Sequence, residues 1–272
     1  MRARFSLAHL TVMGCAPPEM TYIAARAGYE FVSYRIIHMG LPGEPNYALA
    51  QNKEMLRQTQ TALRDTGLKL NDIELGRIHD GLKPAQYRPA MEVAAELGGR
   101  AIISSIWTED RSFATEAFGE LCALARPLGL TVDLEFPTWA SVNTLKQALE
   151  VLRATGQDNA GILIDTLHFY RSRVTLAELD EVDPRRFHFA HLCDGPRDIP
   201  TTREELIHTG RDERLYVGEG AIDIASILKR LPEVPYSIEL PHLARAKELG
   251  YAEHAARCLS TARNYLKAHG WD

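Results

Sequence analysis

The sequence predicts an α/β protein built as a single (β/α)8 TIM barrel, with one domain over residues 1–272. Three observations carry this expectation. One unit recurs along the chain: an amphipathic helix, a glycine, then a short apolar strand. Eight such strands can be counted. The length suits one large α/β barrel, and no linker or low-complexity tract divides it. Alternation of strand and helix demands a parallel sheet, and eight units favour its closure into a ring.

In chain order the strands are expected to begin near Phe5, Tyr29, Leu68, Arg100, Leu130, Gly161, Arg186 and Pro235. Residues 5–13 form an apolar run behind Arg2 and Arg4, with Gly14 and Cys15 after it. That order faintly resembles a lipoprotein signal. His9 interrupts the run, however, and it is short for a signal core, so it reads as the first strand. Gly28 precedes YEFVSYRI, Gly67 precedes LKLNDIEL, Gly99 precedes RAIISSI and Gly129 precedes LTVDLEF. A glycine just past a helix adopts the left-handed conformation that ends it. The strands are rich in Val, Ile, Leu and Phe, as strands buried on both faces should be. In SVNTLKQALEVLRATG, Ser141 is expected to cap a helix. Val142, Leu145, Leu149 and Leu152 then share one face, and Gly156 ends it. GILIDTLHF, FHFAHLCDG and PYSIELP supply the last three strands. The final helix aligns Ala252, Ala255, Leu259, Ala262 and Leu266.

Two connections are long. Residues 38–46 (HMGLPGEPN) follow the second strand. Residues 194–220 follow the seventh and carry Arg197, Arg203, Arg211 and Arg214 among several acids. Such loops on the C-terminal face of a barrel commonly form the substrate site. Gly218-Glu219-Gly220 is no Walker-type phosphate loop and reads as a tight turn before a helix.

A net charge of -5 and a pI near 6.1 argue against nucleic-acid binding through a broad basic surface. Cys15, Cys122, Cys193 and Cys258 form no CxxC pair and fit no zinc or disulfide framework. They read as free thiols of a reducing, cytoplasmic compartment. No apolar stretch approaches the roughly 20 residues of a membrane span. The expected partner is a small molecule, and the sequence leaves both a monomer and a homo-oligomer open.

Four late strands each end in a residue that can bind a metal: Glu135, Asp165, His191 and Glu239. A closed parallel ring would deliver all four to one face. Each has a bland alternative: Glu135 as a strand-end group, Asp165 as a cap of the next turn, His191 as a structural histidine. The joint pattern resists these, because burying charge without a partner is costly. The set suits one divalent cation, Mn²⁺ first, with Mg²⁺, Co²⁺ or Zn²⁺ as alternatives. Open positions would take two oxygens of a hydroxy-ketone, and the metal would polarise the carbonyl and stabilise the enediolate. Glu135 and Glu239 are the candidate catalytic pair, one removing a proton and the other returning it. His168 and Arg197 are candidate substrate contacts, and His79 and Trp107, at the ends of the third and fourth strands, are candidate pocket walls.

The segments VDLEF, IDTLH, HLCDG, VGEGAID and SIELP resemble the xylose isomerase-like TIM-barrel superfamily of sugar phosphate isomerases and epimerases. The resemblance spans nearly the whole chain and is strongest over residues 131–241. It implies that Glu135, Asp165, His191 and Glu239 are the metal ligands and that the two glutamates shuttle the proton. The Asp-x-x-His and His-x5-Arg spacings of the ketose 3-epimerases imply substrate contacts for His168 and Arg197. Those enzymes carry a further Glu six residues after the first ligand, where this chain has Ser141, and FPTWA also differs from theirs. The implied function is a metal-dependent isomerase or epimerase of a small sugar, sugar phosphate or related hydroxy-ketone. The alternative is a metal-dependent dehydratase of the inosose or 3-dehydroshikimate type. An endonuclease IV-like repair enzyme would need an Asp-x-His pair for extra metals, and the chain has none. A non-catalytic scaffold is the remaining class.

Overall fold

The structure, a computed structural model, describes residues 2–40 and 44–272. Among the described residues nine strand segments form one sheet: β1 (Phe5–Ala8), β2 (Phe31–Arg35), β3 (Lys69–Ile78), β4 (Ala101–Ile106), β5 (Thr131–Leu134), β6 (Ala160–Ile162), β7 (Ile164–Asp165), β8 (Ala190–Leu192) and β9 (Tyr236–Ile238). Their order is β6-β5-β4-β3-β2-β1-β9-β8-β7, and every pairing is parallel. β6 and β7 are one strand line broken at Leu163, so eight lines close a barrel. The helices that alternate with them cover the outside.

The expected strand positions agree with the structure to within a few residues, and the differences are local. The first strand stops at Ala8, and His9–Val12 turn as a 3₁₀ segment. His9 fixes that turn, with Nε2 at 2.9 Å from the Cys15 carbonyl and Nδ1 accepting from the Arg35 amide. The seventh strand starts at Ala190, because Pro184–Arg186 form a 3₁₀ turn. Ser141 does not cap the following helix. Thr144 does, accepting from the Gln147 amide, and the helix runs Leu145–Thr155. In the last helix, Tyr251–Ala268, Ala252 is exposed and His254 is buried instead.

Most of the core lies between strands and helices. A second, smaller cluster of Ala101, Ile103, Leu163 and Phe189, with Leu75 against it, is separate from this outer core. Period-two alternation assigns it to the inside of the ring. Truncating Phe189 to Ala would cost about 3–5 kcal/mol. On the β9–β1–β2–β3 side the interior is polar. Ser6, Ser33 and Ser237 hydroxyls are linked, and Ser33 donates to Asp72. Gly161 is required by close approach: a Cβ there would overlap the Asp133–His188 pair, whose atoms are 2.6 Å apart.

Two connections shape the open end. In the first, Glu44 accepts from the Met39 amide and the Arg35 guanidinium. Residues 41–43 of that connection lie outside the described residues. The second, expected as a loop, contains a helix, Arg203–Asp212. Beyond it the buried Asp194 carboxylate accepts from the backbone amides of Gly195, Gly218, Gly220 and Ile222 at 2.8–3.2 Å. This builds the expected Gly-Glu-Gly turn and clamps residues 215–222 beside β8. Among the described residues no helix is long and apolar enough to cross a membrane.

Candidate metal centre

The side-chain direction of each strand decides what reaches the open end. Leu163 and Asp165 lie two apart, as do Phe189 and His191, and Ser237 and Glu239. Each pair therefore points the same way, apolar or small below and metal-capable above. Glu135 and Glu239 sit one residue past β5 and β9, and their amides still donate across the sheet to Ser104 and Leu192. Asp165 closes β7 and also caps Thr166–Arg171, its Oδ1 accepting from the Leu167 and His168 amides. The capping role and the site role are thus filled by different oxygens of one carboxylate.

Glu135, Asp165, His191 and Glu239 converge, with one donor atom from each lying within 4.8 Å of the others. All four are buried. His191 Nδ1 is 3.5 Å from Glu135 Oε1, 3.4 Å from Glu239 Oε2 and 3.9 Å from Asp165 Oδ2. Donors each about 2.1 Å from a shared ion stand roughly 3–4 Å apart. Both ring nitrogens of His191, and Oε1 of Glu135, have no hydrogen-bond partner. Three buried carboxylates face one guanidinium, that of Arg214. The remaining two negative charges match a divalent cation, and orphaned atoms in such a place need a partner. The residues present fit the ion.

Arg214 was not singled out by the sequence reading. It is 2% exposed. Its Nη1 lies 2.6 Å from Asp165 Oδ2 and its Nη2 lies 2.9 Å from Glu239 Oε2, while Nε donates to the Gly210 carbonyl. Glu74 and Arg35 were missed too. They pair at 2.9 Å on the cleft wall.

The two glutamates differ electrostatically. Burial raises the Glu135 carboxyl above the usual range, and the nearby Glu239 charge adds to this against the pull of His191. Burial also acts on Glu239, but His191 and Arg214 outweigh it and hold the carboxyl below the usual range. Paired acids of unlike proton affinity suit proton removal and return.

The cleft beside these groups holds about 60 Å³. Of the expected substrate contacts, His168 and Trp107 line it. Burial lowers the His168 imidazole to about 4, so the ring is neutral. Its Nδ1 accepts from the Thr138 amide at 3.4 Å, which leaves Nε2 to carry the hydrogen. Trp107 donates from Nε1 to Ser105. Arg197 and His79 lie elsewhere. Both are exposed and neither lines the cleft; the Arg197 carbonyl accepts from Tyr170. Trp139, in the FPTWA segment, is a wall the sequence reading did not single out, packed edge-on to His168 with ring centres 4.8 Å apart. Gly210 lets the 203–212 helix reach it, since a Cβ there would stand 2.6 Å from the indole.

Four matches with known proteins stand out. The profile of xylose isomerase-like TIM barrels matches residues 22–262. An inosose isomerase of Bacillus velezensis is 26% identical over 163 residues, covering 56% of this chain and 56% of that protein. A ketose 3-epimerase of Arthrobacter globiformis is 27% identical over 163 residues, 54% of this chain and 50% of its own. This chain thus spans about half the length of the curated relatives it matches. Among solved structures, the IOLI protein with a bound zinc atom superposes with a TM-score of 0.81 at 19% identity, covering 98% of this chain and 99% of that one, a likeness of fold.

Proposed function

Because the chain belongs to the xylose isomerase-like TIM-barrel family, we propose that it is a metal-dependent isomerase or epimerase of a small sugar, sugar phosphate or related hydroxy-ketone. The observation that carries the proposal is the convergence of two buried glutamates, Glu135 and Glu239, with Asp165 and His191 in one cluster that could hold a divalent cation. The names of the relatives, an inosose isomerase and a ketose 3-epimerase, point to the same substrate class.

Glu135, Asp165, His191 and Glu239 would hold the ion, with Mn²⁺ first and Mg²⁺, Co²⁺ or Zn²⁺ as alternatives. When bound, the ion polarises the carbonyl and offsets the charge that develops on its oxygen. The protein's own groups do the rest. One glutamate removes the proton beside the carbonyl, and the other delivers a proton to the neighbouring carbon or to the opposite face. Neutral His168 donates from Nε2 to a substrate hydroxyl. Trp107 and Trp139 wall the cleft and limit water. Arg214 keeps Asp165 and Glu239 ionised and oriented. Four buried, unpaired cysteines support a reducing compartment, the cytoplasm.

The test is turnover in D₂O of the metal-loaded protein on a panel of ketoses, inososes and their phosphates. Deuterium at the carbon beside the carbonyl, in isomer products, is the expected result. Products short of one water would assign a dehydratase instead. Neither isomer product nor exchange from any member of the panel would remove the proposal.

A further inference from the structure

Outside the metal centre, three arginines gather where the cleft opens. Arg211 lines the cleft itself. Arg203 lines an outer groove of about 530 Å³, which meets the cleft at Trp107 and Trp139. The Arg77 guanidinium lies over the Trp107 ring, 4.1 Å from its centre, and its buried Nε has no hydrogen-bond partner. The Arg211 guanidinium is 6.0 Å from the Trp139 ring. Among the described residues none of the three makes a side-chain ion pair or hydrogen bond. The nearby acids are Glu109, on the groove wall, Asp212, which is engaged by His208, Glu44 and Glu74, which Arg35 engages, and the cluster carboxylates Glu135 and Glu239 deeper in the cleft.

This is an expensive arrangement. Burial and the charges of Arg35, Arg77 and Arg203 all weaken proton binding at Arg211. Elsewhere around the cleft the protein pairs its cations, Arg35 with Glu74 and Arg214 with Asp165 and Glu239. The metal centre also balances without help: three carboxylates offset Arg214 and a divalent ion. Three guanidiniums without a side-chain ion pair among the described residues are therefore left at the mouth, beside two indole walls. Planar guanidiniums there present paired N–H donors that match an oxyanion.

We propose that the substrate carries an oxyanion, carboxylate or phosphate, at the end remote from its reacting carbons, and that Arg77, Arg203 and Arg211 receive it between Trp107 and Trp139. This rests on the isomerase reading and narrows its substrate class to acidic hydroxy-ketones. The cleft takes the reacting carbons and the outer groove takes the acidic end.

Calorimetric titration of the metal-loaded protein with inorganic phosphate, and separately with malonate, tests it at low ionic strength. Saturable binding is expected, weakened about tenfold or more in Arg211→Ala and in the exposed, fold-neutral Arg203→Ala, with Arg211→Lys recovering only part. Metal content should not change in these variants. The probe that binds more tightly names the anion. Binding should survive in His191→Ala after metal loss. Binding that disappears with the metal but ignores the arginines would place the anion on the ion and overturn the proposal, as would no saturable binding of either probe. Proton exchange from matched neutral and acidic hydroxy-ketones separates the two readings. Equal exchange from both, indifferent to Arg211→Ala, overturns the anion site and leaves the isomerase. Probe binding that depends on the arginines, with no exchange from any compound, keeps the anion site and removes the isomerase.

Discussion

The Arg214 guanidinium sits 2.6 Å from the Asp165 carboxylate, and both side chains are shut away from solvent. Arg214 also touches Glu239, so one fixed cation orders two of the four groups at the metal centre. Glu135 lies beside His191 instead, 3.5 Å from Nδ1.

Arg214→Ala should lower stability strongly, because it strands two buried carboxylates. A loss of about 3–5 kcal/mol is expected without metal. A bound cation would supply part of the missing charge, so the loss should be smaller when metal is present. Thermal unfolding with and without Mn²⁺ reads the difference. Equal losses in both states would mean that Arg214 and the ion do not share the same carboxylates.

Asp165→Ala and His191→Ala should each abolish binding of about one divalent ion per chain. Elemental analysis of protein purified from metal-supplemented medium measures this, with circular dichroism confirming the fold. Full occupancy in both variants would contradict the ligand assignment.

Glu239→Gln and Glu135→Gln keep an oxygen near the ion and remove a base. Each should lower turnover by roughly a hundredfold or more while metal affinity changes far less. Should one variant keep deuterium exchange yet lose product, the two acids have separate roles. Normal turnover in both would leave them as ligands only.

Two buried groups that are not among the four cluster residues should titrate with opposite sign. Burial lowers His9 to about 4, and its two hydrogen bonds fix the neutral ring. Its contribution is complete above the unfolded value near 6.5 and is lost as pH falls toward 4. Burial raises Asp72 to about 6, so its ionisation cost grows from pH 4 to 6. Relative to His9→Asn, the wild type should gain up to about 1.4 kcal/mol per pH unit over 4–6.5; relative to Asp72→Asn it should lose as much over 4–6. Urea unfolding across this range checks both, and parallel pH profiles for wild type and variants would refute the burial argument.

The four converging residues were legible because each follows an apolar strand and each strand had a countable place in the ring. Glu74 and Arg35 carried the same signal, a charge inside an apolar run, and could have been found by it. Arg214 could not. It is one of four arginines in a long connection, and what selects it is the bridge of Leu215 to Asp194 across the turn. The spacing from His191 pointed instead to Arg197, which the chain leaves in solvent. By residue type Ser141 is the better cap, yet the helix begins at Leu145 and Thr144 caps it. The break at Leu163 follows from ring geometry, which no local pattern encodes.

The Asp194 clamp decides which part of the long connection is free to vary. The carboxylate anchors the chain at residues 194–195 and again at 218–222, and the strand-like bridge fixes 215 between them. What lies between 195 and Arg214, including the helix that carries Arg203 and Arg211, is an interchangeable cassette with stationary ends, the far one held by Arg214 on Asp165 and Glu239. Loop length between fixed ends costs little free energy. A lineage can rewrite that cassette, and so the molecules admitted at the mouth, while the carboxylates and imidazole below keep their positions.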